Sequence, residues 1–195
     1  MKRVIFGFAG LVTLLASPAM AHTGAGEVSG LLAGLSHPIS GLDHILVMVA
    51  VGVLAVQLGG RGLWLVPASF VSVMALGGVL GVTGVGVPFV EQGIIGSVII
   101  LGAVVAWGGK MPLSAAMALV GVFALFHGYA HGTEMPMNAH GAQYSIGFIL
   151  VTATLHALGM GLSLALRAYI EKSAMLVARV GGAAIAAAGV SMAIS

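Results

Sequence analysis

From His37 onward the chain divides into six apolar runs, each close to the twenty residues that a bilayer's hydrocarbon core asks of a helix. They are expected at about 37–58, 63–83, 90–108, 113–131, 143–166 and 174–194. The breaks between them are short: Gly59-Gly60-Arg61-Gly62, Val85-Gly86-Val87-Pro88, Gly108 to Pro112, the polar loop His131 to Gly141, and Arg167 to Ser173. Lipid offers no partner to a backbone N–H or C=O, so such runs must close their own hydrogen bonds as α-helices. The fold class that follows is all-α, a polytopic membrane bundle of six transmembrane helices in one domain. Only 6% of the 195 residues are charged and mean hydropathy is +1.15, where soluble domains carry about 25% charged residues. Small-xxx-small spacings at Gly30/Gly34, Gly77/Gly81, Gly128/Gly132 and Gly182/Ala186 suit tightly packed helix pairs.

Ahead of the runs, Met1 to Ala21 reads as a cleavable signal peptide. Lys2 and Arg3 form its basic start, Val4 to Leu15 its apolar core, and Ala19-Met20-Ala21 its cleavage site. The mature domain is then 22–195, and His22 becomes its first residue, with an amine and an imidazole side by side as a chelating pair. His22 to Ser36 is Gly-rich and is expected to be a loop or a short interfacial segment. Arg61, Lys110, Arg167 and Lys172 fall in alternate loops, while the loops around 84–89 and 132–142 hold no Lys or Arg. The positive-inside rule puts the first set in the cytoplasm. A signal peptide that delivers residue 22 to the outer side demands the same topology. The expected place is a bacterial inner membrane, with the mature N-terminus and the C-terminus both periplasmic. The pI of 9.3 reflects these few topogenic charges and does not point to nucleic acid. Cysteine is absent, which excludes disulfides, thiolate metal sites and thiol nucleophiles.

Two polar clusters interrupt this apolar background. The first is Ser36 to His44, which carries His37, Asp43 and His44. On one continuous helix, His37 and His44 would share a face about 10 Å apart, with Pro38 in the first turn and Gly41 thinning the helix. The second is Phe126 to Glu134, where His127 and His131 stand i,i+4 and Glu134 follows three residues later. If the helix runs that far, all three line one stripe, and an i,i+4 pair of imidazoles is a common metal platform. The residue after His127 is Gly128, so the general base of the H-E-x-x-H proteases is missing. His156 lies on a small-polar stripe with Ser145, Thr152, Gly159 and Ser163; a transport role there competes with a helix–helix hydrogen bond. Glu91 and Gln92 open the third run, and His140 and Asn138 sit in the outer loop, where an interfacial or solvated role competes with ion capture. Ionisable groups at membrane depth are costly and face partners. Imidazole and carboxylate without thiolate suit a borderline divalent ion such as Ni, Co or Zn.

At these two clusters the chain resembles the HupE/UreJ family of hydrogenase- and urease-associated membrane proteins. The family patterns H-x5-D-H and F-H-G-x-[AV]-H-G-x-E stand here as His37 to His44 and Phe126 to Glu134. The likeness extends to the signal peptide, a His opening the mature chain and six spans. It implies a permease for Ni2+, or Co2+ in some relatives, with roles for His37, Asp43, His44, His127, His131 and Glu134. His22 matches only the habit of a His at the new N-terminus, and no motif carries His156. The expected function is secondary transport or facilitated diffusion of a divalent ion inward for hydrogenase or urease maturation. The expected partners are the ion, the lipid bilayer and cytoplasmic metallochaperones, with no prosthetic group and no enzymatic activity. The alternatives are an intramembrane metal-dependent hydrolase built on the His/Asp/Glu cluster, a haem-binding redox subunit with paired His ligands, and a proton or cation channel.

Overall fold

A computed structural model describes residues 30–136 and 140–195. The signal peptide, His22, Met137 and Asn138 lie outside the described residues. Seven α-helices and no strand occur among the described residues: α1 (Gly30–Ser40), α2 (Leu42–Leu58), α3 (Gly62–Val82), α4 (Val90–Trp107), α5 (Leu113–Thr133), α6 (Gly141–Tyr169) and α7 (Glu171–Ile194). Helices α3 to α7 are each long and apolar enough to cross a membrane. Together α1 and α2 qualify as a sixth span, though a broken one, bent by 82°. The chain is a helical membrane protein.

Burial ranks the helices. Helix α2 is apolar all round and buries Val47, Met48, Val51, Leu54 and Val56 on several faces, so it runs through the middle of the bundle. Helix α7 buries only Ala174, Gly182 and Gly189 and lies at the periphery. Between apolar helices in lipid the hydrophobic effect is weak, and close backbone approach at small residues supplies the contact. Four clasps of this kind hold the bundle. Helices α3 and α5 meet through Gly77, Gly81, Gly128 and Gly132, where a methyl on each would strike backbone of the opposite helix. Helices α4 and α7 meet at Gly102 and Gly182. Helix α6 is clasped twice, by α1 at Gly34 and Gly147 and by α2 at Gly52 and Gly159.

The first run departs from its expected form in three ways. Helix begins at Gly30, inside the stretch expected to be a loop or interfacial segment. It stops at Ser40 and restarts at Leu42, so 37–58 is not one helix. Pro38 therefore sits near the end of α1, not in a first turn. The hinge is Gly41, whose backbone is extended at φ −99° and ψ 123°. Docking of α1 on α6 fixes the bend: Gly34 seats against the Tyr144 carbonyl and Gly147 against the Leu31 carbonyl. Beyond the hinge, Asp43 lies in the first turn of α2, where the helix dipole favours a carboxylate.

Candidate metal centre

Three imidazoles from two helices converge beneath the mouth of the bundle. His44 Nδ1, in the first turn of α2, lies 3.0 Å from His127 Nδ1 and 3.0 Å from His131 Nε2, both on α5. The clasp between α3 and α5 leaves the His-bearing face of α5 free to meet α2. His44 and His127 are 3% and 0% exposed, and Phe148 of α6 closes the cluster, its ring 4.4 Å from His131 and 5.6 Å from His44. Polar rings buried this deeply need partners.

A second group stands outward of the first. His37 Nε2 lies 2.9 Å from Glu134 Oε2, joining α1 to the end of α5. His131 Nδ1 is 3.8 Å from the same carboxylate oxygen. Ligand atoms of His37, His131 and Glu134 all lie within 4.8 Å of one another. Helix α5 ends at Thr133, but Glu134 keeps helical backbone as its C-cap, so the i+3 relation to His131 survives. The bend at Gly41 delivers His37 here by a different route from the shared helix face expected for it. His37 and His44 now flank His131 from two helices, edge-on to its ring at 4.6 and 4.2 Å. His131 thus offers one nitrogen to each group. A cavity of about 360 Å3 between α3, α5 and α6 opens beside it, bordered by Met74, Gly78, Gly128, Tyr144 and Phe148.

Hydrogen bonding assigns the proton positions. The Ser97 hydroxyl of α4 donates to the Ile94 carbonyl at 2.5 Å, so its oxygen accepts from His127 Nε2–H at 2.8 Å. His127 Nδ1 is then the unprotonated nitrogen, with its lone pair toward His44. His131 can place its proton on Nδ1, facing Glu134, and turn the Nε2 lone pair inward. One proton, on His44 Nδ1, therefore serves two acceptors, His127 Nδ1 and His131 Nε2. A divalent cation can take that proton's place. Metal-binding imidazoles characteristically donate their other N–H to a fixed partner, which Ser97 supplies for His127.

The remaining sequence candidates stand apart. Among the described residues no hydrogen bond or ion pair joins Asp43 to an imidazole. Its carboxylate turns back over the hinge, where a methyl on Gly41 would stand 2.6 Å from Asp43 Oδ1. His156 is buried midway along α6, outside both groups. Glu91 is exposed in the first turn of α4, and His140 is exposed as the N-cap of α6. Two residues escape sequence reasoning altogether, Ser97 and Tyr144. Ser97 was findable as a lone hydroxyl in an apolar run. Tyr144 is 4% exposed, its hydroxyl has no partner among the described residues, and no motif marks it. Ser97→Ala is expected to weaken Ni2+ binding about tenfold while the protein stays folded, by the usual weight of a group that orients a ligand. Titration calorimetry on purified protein checks this, and unchanged affinity would mean that Ser97 does not orient a ligand.

Comparison with known proteins places the chain. A family model described as HupE / UreJ protein matches residues 10–192. Protein HupE of Rhizobium leguminosarum bv. viciae is 49% identical over 179 residues, which is 91% of this chain and 92% of that protein. No solved structure matches. The chain belongs to the HupE/UreJ family.

Proposed function

We propose that this HupE/UreJ protein is a permease that carries a divalent transition-metal ion, Ni2+ above Co2+, from the periplasm to the cytoplasm for hydrogenase or urease maturation. The observation that carries the reading is the double engagement of His131. One ring presents Nδ1 to an exposed carboxylate and Nε2 to a buried imidazole pair. His37 and Glu134 capture the hydrated ion at the mouth, and the carboxylate offsets part of its charge. The ion then passes across the His131 ring to His44 and His127, which replace its water. Sites in series, none of them a closed cage, let an ion enter and also leave, which conduction requires.

The 3.0 Å separations at His44 Nδ1 are those of N–H···N hydrogen bonds, which a bound divalent ion would replace.

In this reading Met1 to Ala21 is removed, His22 opens the mature chain in the periplasm, and the C-terminus is periplasmic as well. The ion leaves to a cytoplasmic metallochaperone. The test is uptake of radiolabelled Ni2+ into proteoliposomes against protein-free liposomes; equal uptake removes the proposal. A pH dependence follows from the ligands. Imidazole binds metal only when unprotonated, so uptake is expected to fall once the outer pH is low enough to protonate the ligands. A rate unchanged down to the acid limit of the fold would speak against imidazole ligation.

A further inference from the structure

His156 belongs to neither group of ligands, yet it is 1% exposed and neither of its ring nitrogens has a hydrogen-bond partner among the described residues. A histidine kept to join two helices would show a bond to one of them. Its position relates it to the cluster instead. On α6 it shares one buried stripe with Phe148, Thr152 and Ser163. Phe148 walls the cluster at the outer end of that stripe, and eight residues of helix, roughly 12 Å, separate it from His156. On α2, Gly52 sits directly against the His156 carbonyl oxygen, eight residues inward of His44. One ring of α3 spans the two levels: Phe70 stands 6.1 Å from the His127 ring and edge-on at 5.2 Å to the His156 ring. Thr152 donates its hydroxyl proton to Met74 Sδ at 3.7 Å, which leaves its oxygen lone pairs available on the same stripe. His44 Nε2, on the side of that ring away from the cluster contacts, is unpartnered as well.

We propose that His156 is a third, inner station for the transported divalent cation, on the cytoplasmic side of the Phe70 ring. The ion reaches it from the three-imidazole cluster and is held by one imidazole, with water and the Thr152 hydroxyl, one helical turn outward, as oxygen donors. A single nitrogen holds a dication weakly, which suits a station that must release it inward. The inference rests on the transport reading and deepens it by giving the route a direction along α6.

The test uses the full chain reconstituted in liposomes, with Ni2+ as the probe, and compares His156→Leu and His156→Met with the wild type. For His156→Leu the initial uptake rate is expected to fall about tenfold or more. Equilibrium Ni2+ binding by the three-imidazole cluster, to which His156 contributes no atom, is expected to stay within about twofold. The unfolding midpoint is expected to hold or rise, because an apolar side chain replaces two unpaired buried nitrogens. His156→Met, which restores a ligating atom, is expected to recover part of the uptake. Wild-type uptake in His156→Leu would overturn the inner station and leave the permease standing. A joint loss of stability and cluster binding would also overturn it, since that marks a structural hydrogen bond. Wild-type uptake no greater than that of protein-free liposomes would remove the permease reading, and this proposal with it.

Discussion

His131→Ala abolishes both capture and uptake of Ni2+ on this account, an effect larger than at any other single ligand. Its ring contributes Nε2 to the buried cluster and Nδ1 to the outer group, so one truncation opens both sites. Residues that merely orient a ligand are worth 10–100-fold, so a ligand shared by two sites is expected to cost at least about 100-fold in uptake. His37→Ala and Glu134→Gln touch only the outer group. They are expected to raise the Ni2+ concentration needed for half-maximal uptake while leaving the saturated rate near that of the wild type. Uptake kinetics over a range of Ni2+ concentrations separate the two patterns. If His131→Ala shifted only the half-saturating concentration, the serial arrangement would be wrong.

The second large effect is expected at a residue with no ligand atom. Gly128 lies between His127 and His131 on α5, and a methyl there would overlap the Met74 carbonyl oxygen of α3. Backbone cannot step aside as a side-chain end can, so the helices must separate. Overpacking of this kind costs about 1–3 kcal/mol, and more when neither side relaxes. Gly128→Ala is therefore expected to lower the unfolding midpoint and to weaken Ni2+ binding together, because the clasp sets where α5 presents its imidazoles. Gly161 on α6 is the control, since nothing lies within 4 Å of a methyl built there. Gly161→Ala is expected to be neutral, or stabilising by about 0.4–1 kcal/mol. Thermal unfolding in detergent checks both, and equal midpoints for the two variants would refute the clasp.

The spans were legible because hydropathy and loop punctuation are local properties. Five of the six runs recur as single helices within a few residues of their expected limits, and the first recurs as two. The meeting of the two polar clusters was legible for a related reason: imidazoles in lipid must find partners, and few were on offer. The break at Gly41 was not. Hydropathy runs through it without a gap, and what bends the chain is the docking of Gly34 and Gly147, residues more than a hundred positions apart. Helical periodicity therefore gave His37 the right company for the wrong reason. The carboxylates show the converse. Spacing could not say which acid reaches the imidazoles, and geometry gives Glu134 to His37 while it leaves Asp43 at the start of α2. Ser97 shows in the sequence only as a lone hydroxyl in an apolar run, and its role depends on the helix that packs against it.

The most direct measurement is nickel X-ray absorption on the Ni2+-loaded full chain, beside the His44→Ala variant. Imidazole nitrogens are expected in the metal's first shell at about 2.1 Å, with the multiple-scattering signature of intact rings, and that signature is expected to weaken in the variant. A shell of oxygen alone, the same in both proteins, would contradict the convergence of His44, His127 and His131 on one ion.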